Sequence, residues 1–327
     1  MNNILSIIIP CFNVEKYIGT TIDSLKRQKR QDVEFLFVND GSTDGTEAVI
    51  EGFASSDNRV VIINQANSGV SSARNAALEV ATGEYIYLLD GDDYLEDNAI
   101  EVMVGYLQSS QCDMLLSNIW IDRENHEVLY CHGFKEGVCA PYSLFCQNVV
   151  FPTSIKNVYK RSVIVEHNIR FNEQIMCGEV YEFTIHFLTY AHKIYVAADC
   201  FAHYVMRPAS ATHKINYISD RTILNMVEIL YQYDVNFKEY LSFPMTAYKL
   251  IVAFTYVKYL RHGYCSSEIS ETIQMVVQNK TVRRCVKKVA YAFHLCWKER
   301  LLAWYILLSG EYGFRLAVKI HNVLYAK

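Results

Sequence analysis

Two periodicities alternate along the first hundred residues: short apolar runs, then segments with apolar positions spaced three or four apart. Leu5 to Ile9, Val33 to Val38, Val60 to Ile63 and Tyr85 to Leu89 read as buried strands. Val14, Ile18, Ile22 and Leu25 form one helical face, and helices are expected over Asp44 to Ala54 and Ser71 to Ala81. This is the rhythm of βαβ units and predicts a largely parallel sheet covered by helices on both faces. Between 112 and 132 two strand-like runs, Asp113 to Ile121 and Glu127 to Cys131, flank a polar stretch and predict a hairpin. Mixed elements follow over 155 to 205, and from about 215 the pattern is helical and rich in aromatics.

At 327 residues the chain has room for one large or two smaller domains. A formal charge of -4 disfavours a nucleic-acid binder with a global positive field. That charge is segregated: residues 280 to 327 carry +8, leaving -12 on residues 1 to 279. Beside the basic cluster run Val282, Val286, Val289, Phe293, Trp297, Leu301, Trp304 and Leu308 at helical steps. This stripe fits a helix lying on an anionic membrane surface, and equally a helix packed on the rest of the protein with a solvated basic face. Ten cysteines without a Cys-x-x-Cys pair argue against structural zinc and read as reduced thiols of a cytosolic protein. No secretory signal is read near Pro10, and no apolar run approaches the ~20 residues of a membrane span.

In an open parallel sheet, ligands sit beyond the carboxyl ends of the strands. Three polar segments stand there: Pro10-Cys11-Phe12-Asn13, Asn39 to Gly45, and Asp90-Gly91-Asp92-Asp93. The first lacks the Gly-x-Gly-x-x-Gly of a dinucleotide-binding domain. Asp90 and Asp92 flank a glycine that allows close approach, and their hard oxygens suit Mg²⁺ or Mn²⁺ shared with a diphosphate. An Asx turn ahead of a helix would use the same residues.

These segments, with Asn67 to Asn75 and Ala81 to Ile86 between them in order, resemble glycosyltransferase family 2 over residues 4 to 110 and more loosely over 150 to 212. The resemblance implies an α/β GT-A fold, with a Rossmann-like, mostly parallel sheet flanked by helices and a helical C-terminal extension. It implies a metal-dependent, inverting hexosyltransferase that moves a sugar from a nucleotide donor, mostly UDP, to a hydroxyl of a glycan or lipid-linked glycan. Residues 1 to 214 would be the catalytic domain, divided into a nucleotide-binding half (1 to 110) and an acceptor half (111 to 214), and 215 to 327 a separate helical region. A cytoplasmic, peripheral protein at the inner face of a membrane in polysaccharide assembly is the setting expected.

Carried over by position, Pro10, Phe12, Asn13 and Glu15 would line the nucleoside pocket, with Phe12 where the family more often has tyrosine. Asp40 would accept from uracil, or else act as a helix N-cap. Asn67, Arg74 and Asn75 would border the nucleotide, Arg74 opposing the diphosphate unless it forms a surface ion pair. Asp90 would face ribose or metal across Gly91, and Asp92 would bind the metal. Arg207 is the candidate for a second diphosphate contact, and His203 is open to a metal-ligand or a structural hydrogen-bonding role.

Inversion requires a carboxylate base. The family's Glu-Asp pair corresponds here to Glu179-Val180, so the expected aspartate is a valine. Glu179 is the favoured substitute, with Asp93 or Glu182 as other candidates, and a homologue that only binds the donor is the competing expectation.

Overall fold

The computed structural model describes residues 3–123, 126–130, 135–141, 154–175 and 178–206, and four exposed helical positions at 278, 280, 283 and 287. The chain divides into two compact units, one of Met1–Ser143 with Val149–Lys214 and one of Leu144–Asn148 with Ile215–Lys327. The aromatic stripe over 282 to 308 and Arg207 lie outside the described residues.

The first unit is built on a ten-stranded mixed sheet. Strands β1 (Leu5–Cys11), β2 (Val33–Asp40), β3 (Val60–Gln65) and β4 (Tyr85–Leu88) pair in parallel in the order β3-β2-β1-β4. Helices α1 (Ile18–Lys26), α2 (Thr46–Ala54) and α3 (Val70–Val80) connect them. β1 and β2 are buried at every position because helices cover both sheet faces, which is why their sequences are apolar runs and do not alternate. α1 buries Ile18, Ile22 and Leu25 as their spacing predicts, but Val14 precedes it. Residues 13 to 17 are spent in a turn in which Asn13 takes φ 53° and the Val14 carbonyl accepts from the amides of Tyr17 and Ile18.

Beyond β4 the sheet stops being purely parallel. A two-residue β5 (Tyr94–Leu95) leads into α4 (Ala99–Ser110), then β6 (Met114–Arg123), β7 (His126–Tyr130) and β8 (Gly137–Cys139). β9 (Asn157–Lys160) runs antiparallel between β4 and β6, and β10 (Ile194–Val205) pairs parallel with β6 and antiparallel with β5 and β8. The expected hairpin is β6 and β7, paired from Ile119 with Tyr130 to Arg123 with His126. Helices α5 (Arg161–Glu166) and α6 (Glu179–Leu188) fill the interval between β9 and β10. A hydrophobic core runs from Leu5, Ile7, Phe35 and Phe37 through Tyr87 and Met103 to Leu115 and Phe201. Among the described residues Cys11, Cys112, Cys139 and Cys200 are free thiols, and no helix is long and apolar enough to cross a membrane.

Candidate functional site

Because β1, β2 and β4 are parallel neighbours, the polar segments that follow them meet at one rim. The first two are stitched together. The Asn13 amide donates to the Ser42 hydroxyl (3.1 Å), and its side-chain oxygen accepts from the Thr43 amide (2.8 Å). Glu15 accepts from the Gly45 amide at 3.0 Å, and a Cβ on Gly45 would stand 2.5 Å from that carboxylate. Asn13 and Glu15 thus hold the wall together, while the Phe12 ring stands 48% exposed on it, an aromatic face open to a ligand.

Asp40 is buried at the end of β2 and collects donors from the segment leading into α3: Gln65 (2.7 Å), the Ser68 amide (2.8 Å) and the Gly69 amide (2.9 Å). It anchors the start of α3, as an N-cap residue would, from a neighbouring strand. Gly41 turns away at φ 68°, and a Cβ there would lie 2.7 Å from the Asn67 nitrogen, so this glycine lets the exposed Asn67 pack against the β2 loop.

In the Asp90 to Asp93 turn, Gly91 is buried against β1: a Cβ would meet the Cys11 sulfur at 2.9 Å and the Pro10 carbonyl at 3.0 Å. Pro10 and Cys11 are buried floor, with Asp90 and Asp92 half-buried above them. Burial, then the charges of Asp92 and Asp90, push the Cys11 thiol far up, so it stays protonated and inert. Two hard-oxygen groups concentrating negative charge at one half-buried rim fit a divalent cation of the Mg²⁺ or Mn²⁺ type. Asp93 faces the other way. It is 1% exposed, accepts from the Val205 amide (2.9 Å), and its carbonyl accepts from the Thr21 hydroxyl (2.7 Å), which fastens the turn to β10 and α1. That burial separates it from any acceptor at the rim.

Arg74 is placed differently from the expected open diphosphate contact. Its side chain is 3% exposed; one nitrogen donates to Asp90 (2.7 Å), the other to Glu179 (2.9 Å), and the guanidinium lies over the Phe171 ring. Burial opposes its charge, but Asp90 and Glu179 outweigh burial and hold its pKa above the ordinary arginine value. Next to it, the Asn75 side chain bonds both the amide and the carbonyl of Phe171, pinning the approach to α6. α3 therefore joins the Asp90 turn to the start of α6, where Glu179 is the first helical residue and 16% exposed. Val180 and Glu182, in contrast, are buried, and the Val180 carbonyl accepts from the Thr184 hydroxyl. Phe171 carried no signal in the sequence, because its role depends on a guanidinium contributed by a distant helix.

His203 lies in a separate cluster, between Asp122 (2.9 Å) and Glu96 (3.0 Å) and stacked on Tyr94.

Residues 6–130 match the model of Glycosyl transferase family 2. The chain is 41% identical over 112 residues to the uncharacterized glycosyltransferase EpsJ of Bacillus subtilis, covering 34% of this chain and 33% of that protein. It is 26% identical over 228 residues to poly(ribitol-phosphate) beta-N-acetylglucosaminyltransferase TarS of Staphylococcus aureus, covering 69% of this chain and 39% of that one. The chain thus spans well under half the length of both relatives. The crystal structure of S. aureus TarS residues 1–349 in complex with UDP-GlcNAc superposes with a TM-score of 0.76 at 19% identity, covering 98% of this chain and 92% of that one.

Proposed function

Since the chain carries a glycosyltransferase family 2 domain with the GT-A fold, we propose that residues 1 to 214 transfer a sugar, with inversion, from a UDP-linked donor to a hydroxyl of a glycan or lipid-linked glycan. The observation that carries this reading is the link through Arg74 between the donor-side carboxylate Asp90 and Glu179 on α6. One buried cation orients a group at the donor rim and a candidate base at the acceptor side. The UDP and UDP-GlcNAc complexes of TarS support a uridine nucleotide as donor.

In this reading Phe12 stacks on the uracil, Pro10 floors the pocket, and Asn13, Glu15 and Asn67 shape its walls. Asp40 retains one lone pair, on the oxygen that accepts from Gly69, beyond its three donors for the uracil N–H. Asp92 and Asp90 would hold a Mg²⁺ or Mn²⁺ ion, which would supply positive charge beside the diphosphate of the donor. Gly91 brings the backbone close to that group, and Arg207 supplies a cation from the segment after β10. Glu179 is oriented through one oxygen by Arg74, and its other oxygen takes the proton of the acceptor hydroxyl. The basic, aromatic segment 280 to 327 brings the protein to a membrane that carries a lipid-linked acceptor.

A second reading, a homologue that binds the nucleotide sugar without turnover, is favoured by one feature: the position of the family's aspartate is the buried Val180. Calorimetry and turnover separate the two. UDP should bind wild type in the presence of Mn²⁺ and fail to bind Asp92→Ala, while Glu179→Ala keeps UDP affinity and loses transfer. Absence of UDP binding under any condition refutes the donor site, and donor binding without hydrolysis or transfer to any acceptor selects the second reading.

A further inference from the structure

Asp122, Glu127 and His203 bring one ligand atom each within 4.8 Å of one another. They come from three strands. Asp122 and Glu127 stand directly opposite in the β6 and β7 ladder, and His203 comes from β10 beside β6. Like charges directly opposite in an antiparallel pair repel, so this pairing calls for a cation between them. The histidine supplies a nitrogen facing the same point. Its Nε2 lies 3.0 Å from Glu96, and its Nδ1 lies 2.9 Å from Asp122 Oδ1. With the proton on Nε2, that nitrogen donates to Glu96, and the Nδ1 lone pair is turned toward the Asp122 and Glu127 carboxylates. A carboxylate behind the far nitrogen is the arrangement that orients a metal-binding histidine. The Asp122 oxygen that does not face His203 accepts from the Tyr94 hydroxyl, and the Tyr94 ring stacks on the imidazole at 4.3 Å, so both ligands are held in place. The 2.9 Å separation of nitrogen and oxygen matches the ligand edge of about 3.0 Å expected for octahedral metal bonds of about 2.1 Å at right angles, the geometry of a Mn²⁺ site.

We propose that Asp122, Glu127 and His203 form a second divalent-cation site, independent of Asp90 and Asp92. One nitrogen and two carboxylate ligands suit Mn²⁺ or Zn²⁺. The site lies beside β5, the strand that directly follows the Asp90 to Asp93 turn, and a bound ion ties β7 and β10 together around Tyr94. It is a structural device of this chain and does not depend on the proposed transfer activity.

The test is calorimetric titration of the full chain with MnCl₂ and separately with ZnCl₂, paired with thermal unfolding with and without each ion. The variants are Asp92→Ala, His203→Gln and Glu127→Gln. Glu127 is exposed, so its variant keeps the fold even where His203→Gln loses it. Asp92→Ala is expected to retain one equivalent of bound metal and a metal-dependent rise in Tm. Glu127→Gln is expected to weaken that equivalent at least about tenfold, the scale for losing even a residue that only orients a metal ligand, and to lose the rise in Tm. Loss of all metal binding in Asp92→Ala overturns the proposal, because the ion then belongs to the donor rim. Binding unchanged in Glu127→Gln overturns it too, as does a wild type that takes up neither ion.

Discussion

Replacing Arg74 by methionine removes a cation that both Asp90 and Glu179 face while keeping most of the buried volume. Stripping one partner from a fully buried ion pair costs about 3 to 5 kcal/mol. Here the guanidinium is 3% exposed, but Asp90 is 30% and Glu179 16% exposed, so water re-solvates the carboxylates in part. That reduces the expected loss to about 2 to 3 kcal/mol. The guanidinium's contact with Phe171 adds about 0.5 to 1 kcal/mol. The sum, roughly 3 kcal/mol, corresponds to a fall in Tm of about 6 to 12 °C for a unit of this size. Urea unfolding of Arg74→Met, Glu179→Gln and the double variant measures the coupling directly. The double variant should be more stable than the sum of the singles predicts by about 1 to 2 kcal/mol, because removing the Arg74 charge costs less once Glu179 is neutral. Strict additivity, or a loss below about 0.5 kcal/mol for Arg74→Met, an ordinary surface value, would refute the claim that a buried cation links the two carboxylates.

Two further expectations follow from buried groups. Lys156 is 1% exposed, and burial lowers its pKa from 10.5 to about 7. Between those values the unfolded chain binds more protons than the folded one, so the Lys156 contribution to stability improves as pH rises from about 7 to 10.5. Lys156→Met should therefore stabilise most at pH 7 and below, by up to about 5 kcal/mol, and by almost nothing near pH 10.5; a pH-independent difference in Tm contradicts this. Gly91→Ala should weaken UDP binding at least about tenfold and cost about 1 to 3 kcal/mol in stability, since its Cβ would press on the Cys11 sulfur and the Pro10 carbonyl; unchanged calorimetric affinity would show that the turn can yield without moving Asp90 and Asp92.

The parts of the fold visible in the sequence are those whose signal is local. β1 to β4, α2 and α3 announce themselves because each is a continuous apolar run or a helical face next to its neighbour in the chain. β5, β8 and β9 span two to four residues each and exist through partners far along the chain, which no window can register. The site divides in the same way. The rim segments were legible because parallel topology puts strand ends together. The Arg74 to Glu179 pair joins residues 105 positions apart, and His203 meets Asp122 across 81. Without those contacts Arg74 reads as a free cation for a diphosphate, and its commitment to two carboxylates emerges only once α3 is docked beside α6.

That commitment bears on the base. Successive helical residues point about 100° apart, so a side chain at 179 and one at 180 cannot serve the same point. In α6, position 179 turns toward Arg74 and the Asp90 turn, and Val180 turns into the interior at 5% exposure. A carboxylate at 180 would need either a rotated helix or a buried charge, and the Asn75 bonds to Phe171 together with the Phe171 and Phe183 ring stack resist rotation. If α6 carries a base in this chain, then, geometry assigns the task to Glu179, whose second oxygen is not used by Arg74. The valine is then part of the packing that holds that glutamate on the side of the helix where the donor turn lies.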